Sequence, residues 1–343
     1  MAQVNRQYRL VARPTGMVTP DLFEAHDVPL TDLSDNEVRV RQVYLSLDPA
    51  SRAWMTEQPS YMPPVGLGEV MRGMGIGVVE ESRHPDFAPN QLVAGLLGWQ
   101  TYAVGNPKTW GIQPVPGDLP IPTSTYVSVL GVSGGVTSYF GMLDIGQPKE
   151  GETVIVSGAA GSVGSIAGQI ARIKGCRVVG FAGSDAKCSY VTEELGFDAC
   201  INYKTENLDE ALARTCPNGV DINFENVGGA ILDAVLGHIN VGARVVLCGL
   251  ISQYNATQPT PGPYRFGMLL VRRARLEGFI VTDYAQRFPE AFAQLAQWIQ
   301  QGKLKHKETI VEGLDQAPVA INKLFTGEKL GKLLIQVSED PRS

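Results

Sequence analysis

The chain has 343 residues, a formal net charge of −6, 44% hydrophobic residues and 19% charged residues. This composition is typical of a folded globular protein long enough for two domains, and it excludes a largely disordered chain. The negative charge gives no electrostatic reason to expect nucleic acid or an anionic membrane as a partner. The first residues lack the apolar core of a signal peptide, and no apolar run is long enough to span a bilayer, so we expect a cytoplasmic protein.

Cysteine and histidine spacing gives little support for disulfides or metal ligands. The five cysteines are widely spaced and no pair has the Cys-x-x-Cys spacing of a zinc or redox site. The four histidines form no close cluster in the sequence. We therefore expect reduced thiols and no metal.

The first part of the chain, residues 1–128, contains short segments in which apolar and polar residues alternate. Examples are 37–44 and 75–80, and Pro and Gly separate such segments. Alternation of this kind is typical of antiparallel β-structure with one buried face. We therefore predict a mostly antiparallel β domain here.

Residues 129–305 have a different pattern, in which apolar strands alternate with amphipathic helical stretches. This βαβ pattern predicts an α/β fold with a doubly wound parallel sheet, a Rossmann domain. The predicted strands are 153–157, 176–181, 199–202, 220–224, 244–248 and 275–281. Residues 306–343 then read as strand, helix and strand, and we expect the last strand, 332–337, to rejoin the sheet of the first region, which makes that domain discontinuous.

The strand at 153–157 leads into a turn with glycines at Gly158, Gly161 and Gly164. Gly161 and Gly164 permit close backbone approach, and the amides of the helix predicted at 165–174 would face phosphate groups. The spacing is G-x-x-G-x-x-G, whereas the familiar dinucleotide fingerprint is G-x-G-x-x-G. Alone, the turn is compatible with a pyrophosphate site and equally with an ordinary glycine turn.

The end of the second strand indicates which dinucleotide is bound. An NAD site has a carboxylate there for the ribose 2′-hydroxyl, about twenty residues beyond the turn. Here the position holds Gly183 and Ser184, and Lys187 follows three residues later. The absence of an acid and the presence of a nearby cation suit a 2′-phosphate. The sequence therefore favours NADPH over NADH as the cofactor. Asp185 competes as an acid but could equally start the next helix, and Lys187 could be a solvated first-turn lysine.

Tyr203 stands at the predicted end of the third strand. Its phenol could donate a hydrogen bond to the same 2′-phosphate, because neighbouring parallel strands end at the same edge of a sheet. A half-buried strand tyrosine is the alternative interpretation.

Several further segments, read together, resemble the zinc-independent branch of the medium-chain dehydrogenases and reductases. Within it, the likeness is to NADPH-dependent alkenal and alkenone double-bond reductases, including prostaglandin reductases and, nearest, bacterial curcumin reductases. The likeness covers nearly the whole chain. The segments that carry it are 44–49, 143–152, the turn at Gly161, 225–229, 248–255 and 277–281.

The resemblance implies a GroES-like substrate domain (1–128 and 306–343), an NADPH-binding Rossmann domain (129–305), and an active site in the cleft between them. It also implies the residues that hold the cofactor. The pyrophosphate is assigned to Gly161, Ser162, Val163 and Gly164, and the 2′-phosphate end to Gly183, Ser184, Lys187 and Tyr203. The nicotinamide half is assigned to Thr137, Asn226, Cys248, Gly249, Leu250, Ile251, Ser252, Tyr254, Phe279, Ile280 and Val281.

The chain also departs from the family at several positions. The Gly-His-Glu zinc motif of the zinc-dependent cousins is absent from 66–70, and so is their four-cysteine lobe, which argues against zinc-assisted alcohol oxidation. Ala50 replaces a tyrosine that many relatives have in their pocket, which weakens inference about substrate. Several relatives have an asparagine that contacts the cofactor where this chain has Lys329, and we do not carry that contact over.

The implied reaction is reduction of the carbon–carbon double bond of α,β-unsaturated ketones and aldehydes, such as curcumin-like enones and alkenals. Hydride is delivered to the β-carbon, charge develops on the carbonyl oxygen, and the α-carbon is protonated. Preorganised donors stabilise that charge. Tyr254 is the first candidate donor, since an unperturbed phenol pKa near 10 keeps its proton at neutral pH. Tyr61, in a proline-rich segment, is the second.

Two other functions remain open on the sequence. One is an NADPH quinone reductase of the same superfamily, and the other is a weakly catalytic NADPH-binding sensor. The resemblance further implies a homodimer. A set of aromatic and methionine residues can be interpreted as the lining of an apolar pocket for elongated substrates, or as ordinary core or a dimer contact. They are Trp54, Met55, Tyr61, Met62, Trp99, Tyr264 and Phe266.

Overall fold

The computed structural model describes residues 4–58, 60–116 and 119–342. The chain divides into two compact units. The first contains Met1–Ser128, Glu308–Glu328 and Leu333–Ser343, and the second contains Val129–Lys307 and Lys329–Lys332. The sequence assigned the whole of 306–343 to the first region, whereas the structure groups Lys329–Lys332 with the second unit.

The strands alternate with helices in the middle of the chain and follow one another more directly at its start. In chain order they are β1 (Val4–Leu10), β2 (Phe23–Pro29), β3 (Val38–Ser46), β4 (Gly75–Ser82), β5 (Leu92–Gly95), β6 (Tyr102–Gly105), β7 (Gln113–Pro114), β8 (Thr153–Val156), β9 (Arg177–Ala182), β10 (Ala199–Asn202), β11 (Val220–Glu225), β12 (Ile239–Leu247), β13 (Arg275–Gly278), β14 (Glu308–Glu312) and β15 (Lys332–Gln336).

Helices of three kinds connect these strands. The α-helices are α1 (Pro49–Trp54), α2 (Thr137–Phe140), α3 (Ser162–Ile173), α4 (Asp185–Ser189), α5 (Leu208–Thr215), α6 (Gly229–Leu236), α7 (Met268–Arg272), α8 (Phe288–Gln300), α9 (Ala317–Ala320) and α10 (Lys323–Thr326). One-turn π-helices occupy Val132–Val136, Gly141–Gly146 and Tyr190–Glu194. Short 3-10 helices occupy Pro20–Leu22, Pro107–Trp110, Thr123–Val127, Ile251–Gln253, Tyr264–Gly267, Val281–Arg287 and Leu314–Gln316.

The first unit contains a seven-stranded sheet in the order β14-β15-β3-β4-β5-β7, with β6 paired to β3, and a separate hairpin of β1 and β2. Its central pairings are antiparallel, including β3 with β4, β6 and β15. Alternating residues of the first half of β3 are buried, as the sequence predicted for a strand with one covered face. The last strand joins this sheet through β3, so the prediction of a discontinuous β domain is confirmed.

The second unit contains a six-stranded parallel sheet in the order β10-β9-β8-β11-β12-β13. Every residue of β8 is buried, which is the condition of a strand covered by helices on both faces. The chain order reverses at β8, with β9 on one side and β11 on the other. Ligands of such sheets bind beyond the carboxyl ends of the strands at this switch point.

Element boundaries differ from the sequence prediction by three or more residues in three places. Helix α3 begins at Ser162 instead of 165, because Gly161 is its N-cap and the next three residues form its first turn. Strand β12 begins at Ile239, before a register irregularity in its pairing with β11. Strand β13 ends at Gly278, so Phe279 and the two residues after it follow the strand and do not belong to it.

Part of the predicted pocket lining lies in the core. Met55 and Trp99 are fully buried, and the Trp99 ring stacks on Phe23 at a centroid distance of 4.9 Å. These two belong to the hydrophobic core of the first unit, and the pocket interpretation is wrong for them. Tyr264 and Phe266, in the second unit, are instead largely exposed, so they do not belong to a core.

In the described part of the chain, we find no helix with both the length and the apolar character that crossing a membrane requires.

Helix α3 packs so closely on its surroundings that one of its glycines has no room for a methyl group. A Cβ on Gly168 would lie 1.9 Å from the ring of the buried Phe197. Although alanine is favoured over glycine in helices by about 1 kcal/mol, this overlap dominates. We expect Gly168→Ala to lower the free energy of unfolding by about 1–3 kcal/mol, measured by urea denaturation.

The control is Gly267→Ala, because a Cβ on Gly267 meets nothing within 4 Å and the backbone φ there is −59°. That variant should unfold at nearly the same urea concentration as the unaltered protein. Equal midpoints for both variants would contradict the packing argument.

Candidate functional site

The turn between β8 and α3 is built from backbone alone. Gly158 adopts a φ of 64°, and its carbonyl accepts a hydrogen bond from the Gly161 amide at 2.9 Å. A Cβ on Gly164 would lie 2.4 Å from the same carbonyl oxygen, so only glycine lets the helix approach this closely. The helix therefore begins directly over the carboxyl end of β8.

The amino end of α3 has polar groups suited to an anion. Amides in the first turn of a helix have no partner within it, and Ser162 and Val163 lie in that turn of a twelve-residue helix. The Ser162 hydroxyl oxygen is buried, and the described residues supply no hydrogen-bond partner for it. A buried hydroxyl without a partner is costly, and a phosphate oxygen would satisfy it. These residues fit the pyrophosphate of a dinucleotide.

The carboxyl end of β9 lies beside that of β10, as the sequence predicted for Gly183 and Tyr203. A Cβ on Gly183 would lie 2.7 Å from the Tyr203 hydroxyl oxygen, so glycine makes room for the phenol. Ser184 caps α4, and its hydroxyl oxygen accepts a hydrogen bond from the Lys187 amide at 3.3 Å. The four predicted residues of this end therefore lie together in the structure.

A second lysine, Lys204, belongs to this group and escaped the sequence analysis. Burial lowers the pKa of the Lys187 ammonium, and the charge of Lys204 lowers it further. The two ammonium charges repel one another, and a phosphate dianion bound beside them would reduce this repulsion. Lys204 directly follows Tyr203 in the sequence, and this adjacency was the available signal.

Asp185, the acidic competitor, is engaged elsewhere. Its carboxylate accepts a hydrogen bond from the Asn202 side-chain amide at 2.7 Å, and it is the first residue of α4. This pairing and position support the second interpretation of Asp185, a helix-start residue, and leave the end of β9 without a ribose-binding acid.

The turn after β11 is organised by a fully buried carboxylate, that of Glu225. It accepts hydrogen bonds from the Ser157 hydroxyl at 2.6 Å and from the backbone amides of Val227 and Gly228 at 2.7 and 2.8 Å. The Asn223 side chain donates a fourth at 3.0 Å. Four donors satisfy a charge that burial would otherwise make very unfavourable. Ser157 and Glu225 are positioning residues that the sequence analysis did not single out.

Asn226 is fixed by the same arrangement. Its backbone amide donates to the Ser157 hydroxyl and its side-chain amide donates to the Ser157 carbonyl, both at 2.7 Å. The side-chain carbonyl oxygen of Asn226 takes no part in these two bonds and can accept another. Asn226 is thereby held rigidly at the carboxyl edge of the sheet.

The loop 248–254 is hydrogen-bonded to the turn after β11. The amides of Cys248 and Gly249 donate to the Glu225 carbonyl at 2.9 and 3.1 Å. The amides of Ile251 and Ser252 donate to the carbonyls of Asn226 and Val227, both at 3.1 Å. Six of the predicted nicotinamide residues therefore share one rigid pair of loops: Asn226, Cys248, Gly249, Ile251, Ser252 and, between them, Leu250.

Tyr254 closes this loop. Its hydroxyl oxygen accepts a hydrogen bond from the Leu250 amide at 3.4 Å and lies 3.2 Å from where a Gly249 Cβ would be. Burial raises the pKa of the Tyr254 phenol above its ordinary value of 10. The phenol is therefore protonated at neutral pH, and its proton can be donated to another group. The nearby Cys248 thiol is also protonated, because burial and Glu225 raise its pKa to about 12.

The remaining predicted residues of the second unit are Thr137, which begins α2, and residues 279–281, which follow β13. The Thr137 hydroxyl donates to the Val132 carbonyl at 2.7 Å, across the π-helix that precedes α2. The ring of Phe279 lies 2.7 Å from where a Cβ on Gly141, the residue after α2, would be, so the end of α2 meets the segment that follows β13. Ile280 and Val281 continue this segment.

Tyr61 belongs to the first unit, where its side chain is 48% exposed. Its assignment stays a prediction from the sequence.

Among the residues described, no three His, Cys, Asp or Glu side chains are arranged as a metal site. The described cysteines are all free.

Comparison with known proteins covers nearly the whole chain. Residues 6–112 match the family described as "N-terminal domain of oxidoreductase", and residues 162–301 match the family described as "Zinc-binding dehydrogenase". The NADPH-dependent curcumin reductase of Escherichia coli (strain K12) is 44% identical over 344 residues, with 98% of both chains covered. The NADP(+)-dependent 2-alkenal reductase of Nicotiana tabacum is 41% identical over 307 residues, covering 89% of this chain and 88% of its own.

A solved structure agrees with this. The crystal structure of CurA from Vibrio vulnificus in complex with NADPH has a TM-score of 0.92 and 43% sequence identity, and the match covers 98% of this chain and 100% of that one.

The cluster at the ends of β9 and β10 yields a test of cofactor choice. We expect Lys187→Ala to raise the dissociation constant for NADPH by about tenfold to a hundredfold and to leave that for NADH nearly unchanged, because a charge-assisted bond to the 2′-phosphate is lost. Titration of protein and nucleotide fluorescence measures both constants.

Lys174→Ala is the matched control, since Lys174 is an exposed lysine at the opposite end of α3. A loss of equal size for both nucleotides in Lys187→Ala would contradict the assignment.

Proposed function

The chain belongs to the medium-chain dehydrogenase/reductase family, among its NADPH-dependent reductases, and from this we propose that it reduces the carbon–carbon double bond of α,β-unsaturated ketones and aldehydes. The observation that supports NADPH most directly is the group of Lys187, Lys204 and Tyr203 at the strand ends where an NAD site has an acid. The relatives named above act on curcumin and 2-alkenals, which share a conjugated carbonyl.

The substrate gains one hydride at the β-carbon and one proton at the α-carbon, so the double bond becomes a single bond. Bound NADPH supplies the hydride. The protein's own residues must hold the cofactor at both phosphates, fix the nicotinamide half and stabilise negative charge on the carbonyl oxygen.

The carboxyl edge of the parallel sheet supplies rigidity for the nicotinamide half. Asn226 is held by two bonds to Ser157, and loop 248–254 is bonded to the turn that follows Glu225. Groups held in this way lose little freedom when a ligand binds, so their dipoles need no rearrangement during reaction. We assign Thr137, Asn226, residues 248–252 and residues 279–281 to this half of the cofactor.

Tyr254 is the proposed donor to the developing oxyanion or to the nicotinamide ribose. Its oxygen accepts from the Leu250 amide, which orients the phenol and offsets part of the rise in its pKa that burial causes. The raised pKa of this phenol keeps the proton in place at neutral pH. Tyr61, which is 48% exposed, is the second candidate.

The function is tested by NADPH oxidation with a panel from short alkenals to diarylheptanoids, with product identification. We expect saturated ketones and aldehydes as products. Allylic alcohols would indicate carbonyl reduction instead, and turnover of quinones alone would indicate a quinone reductase. NADPH binding without oxidation of any enal, enone or quinone would indicate a sensor.

The role of Tyr254 is tested by Tyr254→Phe, which removes the donated proton and keeps the ring. We expect a fall in kcat for enones of about tenfold to a hundredfold, with an NADPH dissociation constant changed by less than threefold. Tyr264→Phe is the control, because Tyr264 is 88% exposed. An unchanged kcat, with hydride transfer shown by isotope effect to be rate-limiting, would remove the proposed role.

We also propose that the protein is a homodimer and is cytoplasmic. A stretch of exposed apolar residues supports self-association, since Tyr264, Phe266, Leu270 and Val271 lie just before β13, the last strand on one side of the parallel sheet. Free cysteines suit a reducing compartment. Sedimentation should give about twice the chain mass of 37.0 kDa, and Leu270→Asp should shift the protein to a monomer. A monomer before substitution would contradict this.

A further inference from the structure

Arg72, in the first unit, is partly buried and forms no ion pair with the described residues. Its guanidinium donates a hydrogen bond to the Pro63 carbonyl at 2.8 Å. The charge of Glu69 acts on it from a greater distance, and the Glu69 carboxylate itself accepts a hydrogen bond from the Gly66 amide at 2.8 Å. Burial lowers the pKa of the Arg72 guanidinium, but an arginine stays charged at neutral pH. The structure therefore contains a cation that is partly removed from water and lacks a paired anion.

The guanidinium of Arg72 is held in place by an aromatic ring. Its central carbon lies over the Trp54 ring, 5.5 Å from the ring centroid, which is within the range of a cation–π contact. Trp54 is the last residue of α1 and belongs to the core of the first unit, with 6% of its surface exposed. A guanidinium has five N–H donors, and the bond to Pro63 uses one of them. The remaining donors are thus supported by a side chain that is fixed in the core.

The Trp54 side chain has an unsatisfied polar group of its own. Its indole N–H is buried, and the described residues supply no acceptor for it. Buried donors without a partner are rare, because they lose their hydrogen bonds to water and gain none in return. The contact between Arg72 and Trp54 therefore brings together two side chains whose N–H groups lack acceptors.

The side chains around this contact are largely apolar. Tyr61 and Met62 directly precede Pro63, and Met62 packs against the same core cluster as Trp54. Ala50 packs there too, and it lies four residues before Trp54, on the same face of α1. Many relatives have a tyrosine in place of Ala50, so on this face the chain has a methyl group instead of a phenol. A ligand that fits these surroundings has an apolar body.

A carboxylate on such a ligand would satisfy the guanidinium. The two oxygens of a carboxylate match the planar fork of a guanidinium, and charge-assisted bonds of this kind are roughly twice as strong as neutral ones. Partial burial strengthens the pairing further, because the effective dielectric constant is lower than in water. The surroundings of Arg72 therefore suit an apolar molecule with one carboxylate better than a neutral molecule.

We propose that Arg72 binds a carboxylate of the substrate and thereby makes the enzyme select enones that contain such a group. The inference rests on the proposed function, since it takes the substrate to be an enone, and it adds the class of enone. Arg72 is a specificity-determining residue in this role, because its bond to the carboxylate is the same before and during hydride transfer. Loss of such a bond raises KM and changes kcat little.

The test uses enones with a carboxylate at increasing distances from the carbonyl, together with the methyl ester of each. The measured quantity is the ratio of kcat/KM for the acid to kcat/KM for its ester. We expect the acid to be preferred at one or more of these distances, and Arg72→Leu to lower the ratio there by about tenfold to a hundredfold, through KM. Arg72→Lys, which retains the charge without the fork, should keep part of the preference.

Salt dependence and a matched variant separate a direct contact from a packing role. Added salt should lower the acid-to-ester ratio of the unaltered protein, and should lower it less in Arg72→Leu, because the charge pair is missing. Arg83→Leu is the control, because Arg83 is an exposed arginine of the same unit. Its acid-to-ester ratios should equal those of the unaltered protein. The NADPH dissociation constant should be nearly the same in all of these proteins.

Acid-to-ester ratios that are equal in Arg72→Leu and in the unaltered protein at every distance would overturn the inference and leave the proposed function standing. Weaker NADPH binding in Arg72→Leu would also overturn it, because Arg72 would then act through the cofactor. If no acid or ester is reduced at all, the proposed function fails. Calorimetry with the saturated acids and esters, in the presence of NADP⁺, then tests Arg72 alone: equal acid preference in Arg72→Leu and the unaltered protein would overturn the inference.

Discussion

The constraint on which the cofactor site depends is the contact between the Gly158 carbonyl and Gly164. Any side chain at residue 164 would collide with that oxygen, since even a Cβ would lie 2.4 Å away. Because the contact is made, α3 begins at Ser162, directly over the end of β8, and its first-turn amides face outward from the switch point of the sheet. The same turn has no bulky side chain, and the backbone of Gly331 pairs with Gly161 in it. A helix starting one turn later would separate the first-turn amides and the Ser162 hydroxyl from the end of β8.

The parts of this site that are local in sequence could be predicted from it. Gly161 and Gly164 follow a buried strand closely, and Gly183, Ser184 and Lys187 follow the next, so their spacing was enough to predict that each set lies at the end of a strand. The fold class followed from the alternation of apolar strands with helices, for the same reason. The helix start was misplaced by three residues, because no side chain marks an N-cap that is itself a glycine.

The parts that depend on distant contacts could not be predicted. The charge of Lys204 acts on Lys187 because β10 pairs with β9, and the only sign of this in the sequence is that Lys204 directly follows Tyr203. Ser157 and Glu225 meet because β8 and β11 are neighbours although 68 residues separate them in the chain. Met55 and Trp99 have the residue types of a binding pocket, but packing places both in the core. Residue type specifies what a side chain can do, and only the topology specifies what it meets.

Charge placement explains how a chain with a net charge of −6 can hold a polyanion. Net charge acts over distances that salt screens within about 10 Å, whereas a bound phosphate responds mainly to groups in contact with it. Lys187 and Lys204 lie at one end of the proposed site, and the amino end of α3 lies at the other. The buried carboxylate of Glu225, in the turn after β11, accepts four hydrogen bonds, which stabilise its charge. A negative chain can therefore present a positive site, because its buried acid is engaged by donors and its cations are placed at the sheet edge.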